Sequence, residues 1–98
     1  MKVFYLTQVV KSLEHLRAQD RARLERTRTF FEEYGFRIGQ KYIKKISPPN
    51  IWELRAGQIR LFLCLKREKA FGVHLLYKKT QKLPKADLEL ARERCKKI

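Results

Sequence analysis

The apolar positions of the chain change their spacing along its length. Val3-Phe4-Tyr5-Leu6 is a short β-branched and aromatic run that predicts a strand, and Thr7 behind it suits a helix cap. From Gln8 onward Val9, Leu13 and Leu16 recur at helical spacing, and beyond Asp20 the set Leu24, Phe31 and Tyr34, with Phe30, repeats the pattern as far as Gly35. Two helices folded as a hairpin are expected, with a break near Gln19-Asp20. No Gly or Pro marks that break, so a single bent helix fits the same spacing. Gly35 to Asn50 contains Gly35, Gly39, Pro48 and Pro49 and reads as a connecting loop that exposes Lys41, Lys44 and Lys45. Ile51 to Arg55, Gln58 to Leu65 and Ala70 to Tyr77 then read as strands. Ala56-Gly57 and Lys66-Arg67-Glu68-Lys69 separate them, which predicts an antiparallel meander. Pro84 suits the first turn of a last helix, with Leu88, Ala91, Cys95 and Ile98 on its apolar face. Asp87 and Glu89 lie early in it and Arg92, Arg94, Lys96 and Lys97 late, as the helix dipole prefers.

Side chains alternate across a strand, so the apolar set shows which residues share a face. Ile59, Leu61, Leu63 and Leu65 form one set. Burying Trp52 and Leu54 beside it requires an even-numbered turn of two or four residues around Ala56-Gly57. Phe71, Val73 and Leu75 are expected in the same core under the helices, and Tyr77 alternates into it. The opposite face then collects Glu53, Arg55, Gln58, Arg60, His74 and Lys78, with Phe62, Cys64, Gly72 and Leu76 among them, and is expected to be cationic and open. The whole predicts one α+β domain over residues 1–98. In it an antiparallel sheet carries an N-terminal helical hairpin on one face and is followed by a C-terminal helix.

Charge adds the first functional constraint. Lys and Arg number 24 against 10 Asp and Glu, a formal net charge of +14 on 98 residues. Such an excess favours a polyanionic partner, nucleic acid first and an acidic protein second. With 44% hydrophobic and 11% aromatic residues the chain has the material for a core, so the charge decorates a globule. Cys64 and Cys95 lack CxxC spacing and read as reduced core residues, with neither a disulfide framework nor a zinc site indicated. The opening apolar run is too short for a signal segment and no later run approaches a membrane span, so a cytoplasmic protein without a membrane partner is expected.

The cationic face has the residue types that RNA chemistry uses. Arg offers bidentate donors to phosphate, Lys a point charge, and exposed rings a surface for bases. RNA brings its own nucleophile in the 2′-OH. Cleavage then needs an acceptor for that proton, cations around the transition state and a donor to the leaving 5′-oxygen, with no call for a metal or cofactor. Each candidate also has a structural reading. His74 among apolar neighbours suits a satisfied core histidine, Arg55 and Arg60 suit pairing with Glu53 on a solvated sheet, and Lys78-Lys79-Thr80-Gln81-Lys82 suits a soluble loop. No glycine-rich phosphate loop, paired carboxylate site, nucleophile elbow or metal-ligand cluster occurs.

Trp52-Glu53-Leu54-Arg55, Ile59-Arg60-Leu61-Phe62 and the run from His74 through Lys82 to Pro84, followed by Glu89-Leu90-Ala91-Arg92, together resemble the phage-derived branch of the RelE/HigB toxin family. The resemblance implies a RelE-like fold and a toxin that cleaves mRNA on the ribosome. It also implies a cognate antitoxin, typically a helix-turn-helix DNA-binding protein, that brings the pair to operator DNA. Residue by residue it implies catalytic roles for Arg60, His74 and Lys78, and RNA binding by Arg55, Lys79 and Lys82. The sequence departs from the family at Leu75-Leu76, where Gly-Phe is expected after the histidine, and this bears on the role of His74. The alternative is a noncatalytic nucleic-acid binder or a gyrase-inhibiting ParE-like relative, since fold alone does not fix activity.

Overall fold

The computed structural model describes residues 1–78, 82 and 84–98. The elements are β1 (Val3–Tyr5), α1 (Thr7–Leu13), α2 (Ala18–Tyr34), a 3₁₀ turn (Gly35–Ile38), β2 (Ile43–Ser47), β3 (Ile51–Ala56), β4 (Ile59–Lys66), β5 (Lys69–Tyr77) and α3 (Lys85–Lys96). They build one five-stranded sheet in the order β1-β5-β4-β3-β2. The expected meander is β3, β4 and β5. Ala56 pairs with Ile59, so the turn between β3 and β4 is the two-residue Gly57-Gln58, and its even length keeps Leu54 opposite Leu61 on the core face. Gly57 takes a φ of +62°, which a tight hairpin turn asks of glycine. The sheet is not wholly antiparallel: β1 runs parallel to β5, with Val3 beside Ala70.

The helices cover the two faces of this sheet. Val9 and Leu13 of α1 and Leu24 and Phe31 of α2 are buried against Leu54, Ile59, Leu61 and Leu63, with Trp52 and Leu65 at the margin. The break between α1 and α2 falls at residues 14–17 rather than at Gln19-Asp20. The amides of His15 and Leu16 donate to the carbonyls of Ser12 and Leu13, tightening the end of α1 into i→i−3 bonds without Gly or Pro. Thr7 is the first residue of α1 rather than its cap. The Leu6 carbonyl accepts the amides of Val9 and Val10.

Three further expectations are corrected. The stretch from Gly35 to Asn50 is not all loop, because Ile43–Ser47 pairs antiparallel with β3 as an edge strand. Its glycine and proline flanks and two lysines hide the strand in the sequence. Those lysines, Lys44 and Lys45, are exposed as expected, and they are what an open sheet edge requires to discourage further pairing. The second correction concerns β5. The register shifts between Phe62 and Leu63, so that His74 pairs with Phe62 while Gly72 pairs with Leu63, leaving Val73 as a bulge. Parity is preserved for Leu75 but inverted before the bulge. Phe71 and Val73 therefore leave the predicted core and face α3, while Gly72 joins the other side. Glycine is required there because a Cβ would stand 2.9 Å from the Tyr5 ring.

The third correction is that the face opposite α1 and α2 is not open. Leu88, Ala91 and Cys95 of α3 pack on Ile51, Phe62, Cys64 and Val73. Cys64 and Cys95 are joined as a disulfide between β4 and α3 rather than standing as separate thiols. Cysteine spacing could not reveal this, since 31 residues separate the pair and only the packing of α3 brings them together.

A polar tie closes the other end of the sheet. Tyr77 is 37% exposed rather than core, and its hydroxyl donates to Asp20 Oδ2 at 2.7 Å, while Arg17 Nε donates to the same oxygen at 3.2 Å. The Tyr77 hydrogen bond and the Arg17 charge hold the Asp20 carboxyl below its ordinary value of 3.8. A carboxyl depressed on folding stabilises the native state above its unfolded pKa and loses that contribution as pH falls through the folded value. The wild-type protein is therefore expected to lose melting temperature faster than Asp20→Asn as pH is lowered from about 5 to below the unfolded carboxylate value near 3.9. Parallel melting curves for the two proteins would remove Asp20 from this role.

Candidate nucleic-acid interface

The α3 side of the sheet has a buried carboxylate at its centre. Glu53 is fully buried on β3, beside Phe62 of β4, and its Oε1 accepts a hydrogen bond from Arg55 Nε at 2.7 Å. Arg55 and Arg60 are direct cross-strand partners, and Arg60 Nε lies 3.9 Å from the same Oε1. This is the pairing that the sequence allowed, but the carboxylate is buried rather than solvated. Two like charges side by side are tolerated because the carboxylate stands between them.

Arg60 is folded back over the hairpin. Its Nη1 donates to the carbonyls of Gly57 at 2.5 Å and Ile59 at 3.1 Å, and only 13% of its side chain is exposed. Burial lowers the pKa of the guanidinium from its usual value, and Glu53 opposes that shift. The group still carries its proton at any physiological pH. Nε of Arg60 and Oε2 of Glu53 are both buried without a hydrogen-bond partner among the described residues. A buried donor left unsatisfied costs about 1–3 kcal/mol, so this end of the face carries unmet hydrogen-bonding capacity.

His74 shares this face, as parity predicts, but α3 has reached it first. Its Nε2 lies 2.5 Å from Asp87 Oδ1, Arg94 Nη1 lies 3.4 Å from its Nδ1, and its ring meets Phe62 edge-on at 5.9 Å. A carboxylate only accepts, so Nε2 carries the proton and Nδ1 offers its lone pair toward Arg94. Arg94 also donates to the Val73 carbonyl at 2.8 Å, which fixes it over the bulge. Asp87 and Arg94 stand seven residues apart on α3 and so on nearly one helical face. The sequence presents them only as charges that complement the helix dipole.

Lys78 follows β5 in register. Its amide donates to the Gln58 carbonyl at 2.8 Å, continuing the ladder past Tyr77 and placing Lys78 near Arg60 at the end of the face that α3 leaves uncovered. Lys82 is exposed beyond it. Lys79, expected to bind RNA, lies outside the described residues. The structure thus brings Arg55, Arg60, His74 and Lys78 to one side of β3, β4 and β5, with His74 against α3, Arg60 about as buried as His74, and Arg55 the more exposed of the two arginines. Among the described residues no three His, Cys, Asp or Glu side chains gather as a metal site, and no helix is long and apolar enough to cross a membrane.

Residues 11–96 match the family model described as phage derived protein Gp49-like. The chain belongs to the Gp49-like family. Its fold is that of RelE, shared with two archaeal complexes. One is the RelE–RelB complex of Pyrococcus horikoshii OT3, at TM-score 0.62 and 20% identity over 80% of this chain and 94% of that one. The other is the RelB–RelE antitoxin–toxin complex of Methanococcus jannaschii, at TM-score 0.63 and 18% identity over 83% and 99%. No curated protein matches the chain. The Gp49-like family match runs from within α1 to the end of α3 and includes the strands that carry the arginine pair and His74, so the candidate interface falls within the matched part.

Proposed function

We propose that this Gp49-like chain is the toxin of a type II toxin–antitoxin system, acting in the cytoplasm as a ribosome-dependent endoribonuclease on mRNA. The observation that carries the reading is the cross-strand pair Arg55 and Arg60, with an unsatisfied N–H on Arg60, at the uncovered end of a face on a chain of net charge +14. The 2′-oxygen attacks the adjacent phosphorus, its proton passes to a base, the bond from phosphorus to the 5′-oxygen breaks, and that oxygen takes up a proton. Arg60 and Lys78 neutralise the charge that develops on the phosphate oxygens. Arg55, Lys79 and Lys82 hold the strand, and His74 moves a proton through Nδ1 once Arg94 turns toward the RNA, with Asp87 keeping the ring oriented. The chemistry draws its nucleophile from the substrate and so needs no metal. Much of the rate comes from positioning on the ribosome. A cognate antitoxin, a helix-turn-helix DNA-binding protein, neutralises the toxin and carries it to operator DNA.

The engagement of both His74 nitrogens by α3 favours one other reading, a noncatalytic binder or a gyrase-directed relative of ParE type, in which His74 only anchors α3. His74→Gln separates the two: cleavage slows at neutral pH if the imidazole carries a proton and is unchanged if it anchors. Binding itself is tested by titrating a labelled mRNA fragment into the purified protein at rising salt. Affinity is expected to fall steeply, by about tenfold or more between 50 and 200 mM salt, because several Lys and Arg displace condensed counterions. A nearly flat salt dependence would count against the basic face as the RNA contact.

A further inference from the structure

The end of α2, the 3₁₀ turn and β2 carry rings that the proposed chemistry does not use. Phe30, Tyr34 and Phe36 are 38%, 47% and 41% exposed. Phe30 meets Tyr34 edge-on at 5.4 Å and Tyr42 at 5.6 Å. The next residue on α2, the buried Phe31, meets Phe36 at 5.5 Å, and Phe36 lies on Trp52 at 4.6 Å. Cations stand beside the outer rings: Arg37 is 5.9 Å from Tyr34, Lys41 5.6 Å from Tyr42 and Lys45 6.0 Å from Trp52. Phe30, Tyr34, Arg37 and Ile38 line a hollow of about 240 Å³. Exposed rings gathered in this way mark a binding surface more often than stray surface residues.

The kind of partner follows from the cations. The cores of protein interfaces are depleted in lysine, whereas single-stranded nucleic acid offers bases to rings and phosphates to the charges between them. The surface reaches the arginine pair around the sheet edge: the Arg55 amide donates to the Tyr42 carbonyl at 2.7 Å across β2 and β3, while Trp52 lies on the α2 side of the sheet and Arg55 on the α3 side. We propose that the aromatic and cationic surface of Phe30, Tyr34, Arg37, Lys41, Tyr42 and Lys45 extends the RNA path beyond Arg55. Bases stack on its rings, and phosphates are held by its Arg and Lys. The proposal rests on the reading of the chain as an RNA binder and adds a contact remote from the scissile phosphate.

Trp52 is the only tryptophan of the chain and lies against Phe36 and Lys45, so its fluorescence reports occupancy of this surface directly. The probe is a 12-nucleotide oligouridylate labelled for anisotropy and titrated into wild type, Arg60→Ala and the double variant Tyr34→Ser/Arg37→Gln, each checked by melting. Wild type is expected to bind with saturable quenching of Trp52. The double variant should bind about tenfold or more weakly, in line with the loss of one stacked base. Arg60→Ala should keep the quenching. If the double variant binds as wild type does and Arg60→Ala alone loses binding, RNA stays at the arginine pair and the proposal is overturned while the RNA reading stands. No binding by wild type would remove both. Quenching by oligoglutamate but not by oligouridylate would assign the surface to an acidic protein and overturn the proposal.

Discussion

Arg60→Ala is expected to lower the rate of mRNA cleavage by about 10²–10³ and to release the growth arrest expected on induction of the wild-type chain. Arg60 lies beside Arg55 at the uncovered end of the α3 face, and its Nε–H has no partner among the described residues. Placed on the scissile phosphate, the guanidinium meets charge that exists only in the transition state, so its loss lowers rate more than binding. The substitution also removes a charge 3.9 Å from the buried Glu53, so some stability is lost with the alanine. Arg60→Lys separates the effects. It keeps a cation near Glu53 and should melt close to wild type, yet cleavage should remain depressed because an ammonium cannot reproduce the guanidinium fork. Full cleavage by Arg60→Lys would reduce Arg60 to a counterion for Glu53.

Arg55→Ala is expected to destabilise the fold by about 3 kcal/mol, the range for leaving one partner of a buried ion pair uncompensated. From the sequence Arg55 looks like an exposed side chain whose removal costs little, and Trp52 like the buried residue whose loss costs most. In the fold Glu53 is completely buried and Arg55 supplies its hydrogen bond at 2.7 Å, whereas Trp52 is only partly buried at the margin of the core. The double variant Glu53→Leu/Arg55→Leu should recover most of the loss, because replacing a buried pair with apolar groups is often neutral or better. Denaturant midpoints of the single and double variants measure this. A single Arg55→Ala variant as stable as wild type would mean that Arg60 alone compensates Glu53.

The parts of this fold legible in the sequence are those where one rule decides. Alternating leucines from Ile59 to Leu65 and an even turn at Gly57 placed β3 and β4 correctly and put Arg55, Arg60 and His74 on a common face. The bulge at Val73 was not legible, since the close contact of Gly72 with Tyr5 beside it joins residues far apart in the chain and nothing local marks the register shift. Inverting the parity before it sent Phe71 and Val73 to α3. The seat of α3 was equally hidden: its apolar face was evident, but nothing local said which side of the sheet it would cover. Covering that side joins Cys64 to Cys95 and surrounds His74 with Asp87 and Arg94. Long-range packing therefore decides how far His74 is free to act, while the placement of the arginine pair was readable from alternation alone.

The central claim, that the chain acts by cutting mRNA, is tested most directly by mapping mRNA 5′ ends after brief induction of the wild-type chain and of Arg60→Ala in growing cells. The account predicts new 5′ ends within translated reading frames for the wild type, accompanied by growth arrest, and their near absence for the variant. Growth arrest by the wild type with no new 5′ ends would contradict it and point to a target other than mRNA.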